Sequence, residues 1–137
     1  MTALIDLKPY AASESLLAIG WLDRDVGYSK GTVSREFFEK LSELCQRPWQ
    51  LAASAGRHQC NLCQFDGPRF GGEVYVPGNG KIYVAPLGVE HYVTTHWYLP
   101  PQEFIEAVLA CPPMRSIQYY KALLASGGRA LLKEPPG

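Results

Sequence analysis

The stretch "GRHQCNLCQF", Gly56 to Phe65, constrains the fold more than any other, because it gathers His58, Cys60 and Cys63 within one short turn of chain. Two of the four cysteines and one of the three histidines of a 137-residue protein lie here. Two residues between the cysteines let a turn aim both sulfurs at one ion, while the turn's amides can stabilise the thiolates. A fold built around such a knuckle must deliver further ligands to it from distant sequence. A thioredoxin-like redox pair is the rival use, but there the Cys-x-x-Cys opens a helix. Here "QFDGPRFGG" follows Cys63, and its Gly and Pro oppose helix formation.

Composition sets the surroundings of this knuckle. Hydrophobic residues make up 47% of the chain and charged residues 19%, the balance of a folded domain. The length suits one domain with one core, residues 1–137, in which an ordered core of about 15–125 follows a loose N-terminal arm and precedes a frayed tail. Thirteen Lys and Arg offset thirteen Asp and Glu, so no overall field attracts nucleic acid or an anionic membrane. The acidic start lacks the apolar run of a secretory signal, and no apolar stretch reaches the roughly eighteen residues a membrane helix needs. The expected compartment is the cytoplasm. Under reducing conditions a close cysteine pair points to metal binding rather than to a structural disulfide. Cys45 and Cys111 each end an amphipathic helical pattern and read as small buried hydrophobes.

Along the chain, "SLLAIGWL" (Ser15 to Leu22) reads as a buried strand and the polar "DRDVGYSKG" as a loop. Ser34 can cap a helix with Phe37, Phe38, Leu41, Leu44 and Cys45 at helical spacing, stopped by Pro48. "WQLAASA" then suits a short strand leading into the cysteine turn. The segment "GGEVYVPGNGKIYVAP" reads as a hairpin, Glu73 to Val76 and Lys81 to Ala85 around a Pro-Gly-Asn-Gly turn. Pro86 suits the first turn of a helix over "PLGVEHYVTTHWY". Paired prolines separate this from a helix with Phe104, Ile105, Val108 and Leu109 on one stripe, and again from a last helix near Arg115 to Ala125. The expected fold class is α+β: a single small domain with a zinc knuckle, a β-hairpin and about four helices.

The order knuckle, hairpin, helix resembles the treble-clef zinc finger, in which the hairpin returns the chain so that the helix's opening turns supply the remaining ligands. His91 lies about one turn into the expected helix. The ligand set is therefore His58, Cys60, Cys63 and His91, with Zn2+ as the cofactor. His58 precedes Cys60 by two, so in extended chain both side chains leave on one face. His96 is the alternative fourth ligand, or a residue that orients one. Five residues on a regular helix rotate it about 140° from His91, so it joins only if the helix ends at "HWYLPP".

Blocks "LLAIGWLD", "SREFFEKLSELCQRPW", "AGRHQCNLC", "IYVAP", "HYVTTHWYLPPQEFIEAV" and "CPPMRS" resemble a family of short bacterial proteins grouped as a domain of unknown function. The resemblance runs from about Leu16 to Tyr120 and joins the His-x-Cys-x-x-Cys element to a His-Tyr…His…Pro-Pro element. It implies that His58, His91 and His96 form one functional set, and it carries no reaction, substrate or partner. Members tend to have Gly where this chain has Trp97.

No catalytic residue is assigned. Glu90, beside His91, is a candidate general base on a metal-bound water, but adjacent helix residues diverge by about 100° and the expectation is that it faces solvent. Tyr92, Trp97 and Tyr98 are read as core or as a ledge under the proline turn. The basic residues Arg57, Arg69, Lys81 and Arg115 are too scattered to mark a nucleic-acid face. The functional expectation is a zinc-stabilised protein-binding or adaptor module. A small zinc hydrolase using a metal-bound water is the alternative, and a nucleic-acid-binding finger ranks third.

Overall fold

Asn79 and Gly80 both take positive φ, 55° and 72°, which is what a two-residue hairpin turn of the type favoured by Asn-Gly requires. They join β5 (Glu73–Gly78) to β6 (Lys81–Pro86), paired antiparallel from Gly78↔Lys81 to Glu73↔Pro86. The computed structural model describes residues 5–10, 13–49, 57–63 and 67–128, with the backbone alone at 13, 14, 57 and 58. Two more strands extend the hairpin into a four-stranded sheet of order β1-β2-β6-β5, with β1 at Pro9–Tyr10 and β2 at Ser13–Ala18. β2 runs parallel to β6 and antiparallel to β1. Four successive buried residues in β5 and five in β6 mean that both faces of the hairpin are covered.

The described residues form four helices, α1 (Arg35–Gln46), α2 (Val89–Thr95), α3 (Gln102–Ala110) and α4 (Ile117–Ala125), of which α3 and α4 pack on β5 while α1 packs on α3 and α2. Ser34 and Ser116 cap α1 and α4, their side chains accepting from the amides of Phe37 and Tyr119. Phe104 of α3 meets the rings of Phe37 from α1 and Tyr83 from β6 edge-on, at 6.3 and 6.0 Å. Tyr119 of α4 donates its hydroxyl to the Tyr75 carbonyl of edge strand β5 at 2.6 Å, which occupies part of an open edge. A second, two-stranded sheet pairs β3 (Arg57–Gln59) with β4 (Arg69–Gly71). The α+β class and the four helices match the sequence reading.

Several local expectations differ. Residues 5–10, read as part of an arm, are tied in: the Leu7 amide donates to the Ala18 carbonyl and the Ala18 amide to the Lys8 carbonyl, and Asp6 accepts from the Gly20 amide and the Tyr98 hydroxyl at 2.9 and 2.6 Å. Pro86 belongs to β6, where its lack of an N–H is harmless at the strand's end, and α2 starts three residues later. The stripe of α3 is Phe104, Ala107 and Val108, while Leu109 is 40% exposed. The strand expected over "WQLAASA" lies outside the described residues beyond Trp49, as does the tail from 129 onward. No helix among the described residues is long and apolar enough to cross a membrane.

Candidate metal centre

The cysteine turn leaves β3 and returns to β4, with Gln59 facing Arg69 across the pair. The Cys60 amide donates to the Pro68 carbonyl at 3.0 Å and the Gln59 side chain to the Gly67 carbonyl at 3.2 Å. The two limbs come so close that a Cβ on Gly67 would sit 2.1 Å from the Cys60 carbonyl oxygen, so only glycine fits. Asn61, inside the Cys-x-x-Cys, is anchored from outside. Its Oδ1 and carbonyl accept from the Arg24 amide and Nε at 2.9 and 2.7 Å, and its Nδ2 donates to Asp23 at 2.9 Å. The Asp25 amide and the Asn61 side chain hold the Asp23 carboxyl below its ordinary range, so Asp23 stays an acceptor.

α2 brings the histidines. His91 is the third residue of the helix, which stops at Thr95 and leaves His96 as its C-cap with φ −117° and ψ 14°. Trp97 then takes φ 58°, the left-handed conformation in which helices commonly terminate, and Gly is the usual occupant of such a position. The amides of His96 and Tyr98 converge on the Tyr92 carbonyl at 3.0 and 3.2 Å. Residues from the loop after Leu22 clamp this exit: the Tyr28 hydroxyl donates to the His96 carbonyl, the Gly31 amide to the Trp97 carbonyl and the Leu99 amide to the Ser29 carbonyl, each at 2.9 Å.

These two constructions meet. Cys60 Sγ and Cys63 Sγ are 3.8 Å apart, and the Nε2 of His96 lies 3.4 Å from each. His91 Nε2 is 3.4 Å from Cys63 Sγ, and all four ligand atoms fall within 4.8 Å of one another. Tetrahedral zinc with ordinary bond lengths requires about 3.8 Å between two sulfurs and about 3.6 Å between sulfur and nitrogen. The donor set fits such an ion. Cys60 is buried and the other three are half-buried. The imidazoles stand 5.0 Å apart and nearly perpendicular, and Phe70 of β4 lies 5.8 Å from the His91 ring. Phe70 also packs on the backbone of Gly88, where a Cβ would come within 2.2 Å of it.

Burial lowers the proton affinity of His91, with His96 adding to the effect, and burial likewise lowers that of His96. Neutral imidazole is the form that ligates. Burial also raises the Cys63 thiol, aided by Cys60, so loading a divalent ion has to displace thiol protons. The Tyr92 hydroxyl is hydrogen-bonded to Cys60, and the phenol is itself raised, by burial first and then by Cys60. Two thiolates around a divalent cation make a neutral cluster, which suits this depth.

His96 thus stands in the cluster with Cys60, Cys63 and His91. The expectation that five-residue spacing turns it away from His91 applies to a continuous helix, and His96 lies just past the end of this one. His58 sits in β3 opposite Phe70, and its side chain lies outside the described residues. A sequence cue for His96 existed in the His-x4-His spacing, which falls within the three-to-five-residue interval typical of the histidine pair in Cys2His2 zinc sites. Glu90 does not face solvent as expected. It is half-buried, one carboxylate oxygen finds no partner among the described residues, and its charge acts on Cys45 of α1. Burial pushes both remaining thiols up, Cys111 to about 12. Tyr92 and Tyr98 are fully buried, whereas Trp97 is 61% exposed.

Fold and site together define a small α+β domain with a Cys2His2 cluster that can hold a metal ion. Residues 2–109 match the family described as Domain of unknown function (DUF7919), and the chain belongs to it. No curated protein and no solved structure matches the chain.

Proposed function

We propose that the domain binds one zinc ion in a closed structural site, with Cys60, Cys63, His91 and His96 as ligands, and that it serves as a metal-stabilised protein-binding or adaptor module in the cytoplasm. The observation that carries this reading is that four of the six distances among the donor atoms, 3.4 to 3.8 Å, are close to tetrahedral edge lengths, with all six within 4.8 Å. Two thiolates with two imidazoles in tetrahedral array favour zinc among the common divalent ions. The site joins the knuckle, α2 and the loop beyond it, which is the work of a structural ion in the treble-clef arrangement. The hydrolase alternative needs an open position for a metal-bound water. Four protein donors leave no tetrahedral corner for it, and Glu90 is not among the grouped donors.

Metal analysis of protein purified without chelator should return about one zinc per chain. Competition with a chromogenic chelator should then show a large loss of affinity in His96→Ala and little change in His58→Ala. Equal retention of zinc by both variants points to three protein ligands and an exchangeable water, the outcome that favours the hydrolase. The reverse ranking puts His58 in the site in place of His96.

A further inference from the structure

A groove of about 450 Å³ opens at the cluster and is lined by Cys63 and His96 together with Arg24, Lys30 and Tyr28. That volume is within the range of small-ligand sites. Among the described residues no carboxylate lines it. Arg24 and Lys30 are both exposed, and Arg24 is anchored. Its backbone amide and Nε are both taken by Asn61, at 2.9 and 2.7 Å, which fixes the guanidinium against the knuckle. The terminal nitrogens meet no acceptor among the described residues, and they are the pair that grips an oxyanion in a fork. Lys30 adds a second cation, its amine 5.3 Å from the centre of the Tyr28 ring. Asp23, next to Arg24 in sequence, accepts from Asn61 and from the Asp25 amide and also feels the Arg24 charge, but makes no ion pair with it.

We infer that this groove binds an oxyanion, a carboxylate or a phosphate carried by the ligand, between Arg24 and Lys30. The inference rests on the zinc reading in one respect. Asn61, which orients Arg24, lies between the two cysteine ligands, so an ordered metal site presents an ordered guanidinium. A preorganised cation loses less freedom on binding than a mobile one.

The test follows backbone amide shifts of the zinc-loaded chain while inorganic phosphate or a tetraglutamate peptide is added, with zinc content measured separately. Saturable shifts at Arg24, Asn61, Leu62 and Cys63 are expected. Arg24→Gln and Lys30→Gln should each weaken binding about fivefold or more, while the distant exposed Lys121→Gln should leave it unchanged. Preference for phosphate identifies a phosphate-bearing ligand, and preference for the peptide an acidic protein segment. Zinc-loaded protein with no saturable shifts overturns the groove and leaves the metal reading intact, as do shifts that survive the Arg24 and Lys30 changes together. A chain that holds no zinc yet binds the anion overturns the metal reading alone.

Discussion

Trp97 is the residue whose backbone and side chain disagree most. Its φ of 58° is the conformation glycine adopts freely, yet it carries the largest side chain available and leaves 61% of it exposed. A non-glycine residue in the left-handed region costs about 1–2 kcal/mol, of which the entropy glycine loses on folding offsets about 0.5–1. Trp97→Gly should therefore stabilise the domain by up to about 1 kcal/mol, seen as a raised Tm with zinc present and with zinc chelated. A fall in Tm would mean that the indole packs on the neighbouring surface more strongly than its exposure suggests. The strain lies next to His96 of the Cys2His2 cluster, where it has a use. The left-handed residue turns the chain so that His96 ends the helix and faces His91 instead of continuing round the cylinder.

At the scale of elements, two glycines set how closely the parts of the site approach. Gly88, at the start of α2, accepts the face of Phe70, and Phe70 in turn supports His91. Gly88→Ala should displace that ring and lower zinc affinity by about 10–100-fold, the range seen when a ligand's supporting neighbour is lost. Competition with a chelator measures it, and unchanged affinity would show that Phe70 does not hold His91. Much of this architecture was legible in sequence. Ser34 and the spacing of Phe37, Leu41 and Leu44 define α1, and Asn79-Gly80 defines the hairpin, because caps and tight turns depend on a few neighbouring residues. Cys60, Cys63 and His91 were candidate ligands for the same local reason. The end of α2 was harder, since it is set by Tyr28, Ser29 and Gly31 binding the backbone around His96 from some seventy residues away. Glu90 was misread because its surroundings depend on how α2 meets α1, which helical periodicity does not specify.

In the whole molecule, the four cluster residues come from the turn after β3 of the small second sheet and from α2 and its C-cap, and none belongs to a strand of the main sheet. The rings of Phe37, Phe104 and Tyr83 come from α1, α3 and β6, elements that carry none of the four cluster residues, although Cys60 belongs to the same buried core. Removal of zinc should therefore loosen the molecule unevenly. Hydrogen exchange after chelation should accelerate first at β3, β4 and residues 96–99, while β5 and β6 keep their protection. Uniform loss of protection would mean that the ion holds the entire fold. The separation of the ligands along the chain adds a consequence for the order of folding. Cys63 and His91 are 28 residues apart, and the whole β5–β6 hairpin lies between them. Closing that hairpin shortens the chain between the two halves of the site, so the full donor set is expected to assemble after it. Zinc should accordingly act as a latch rather than a nucleus. Chelation should speed unfolding by about tenfold or more while changing the refolding rate by less than about threefold, a partition that stopped-flow measurements with and without zinc would reveal.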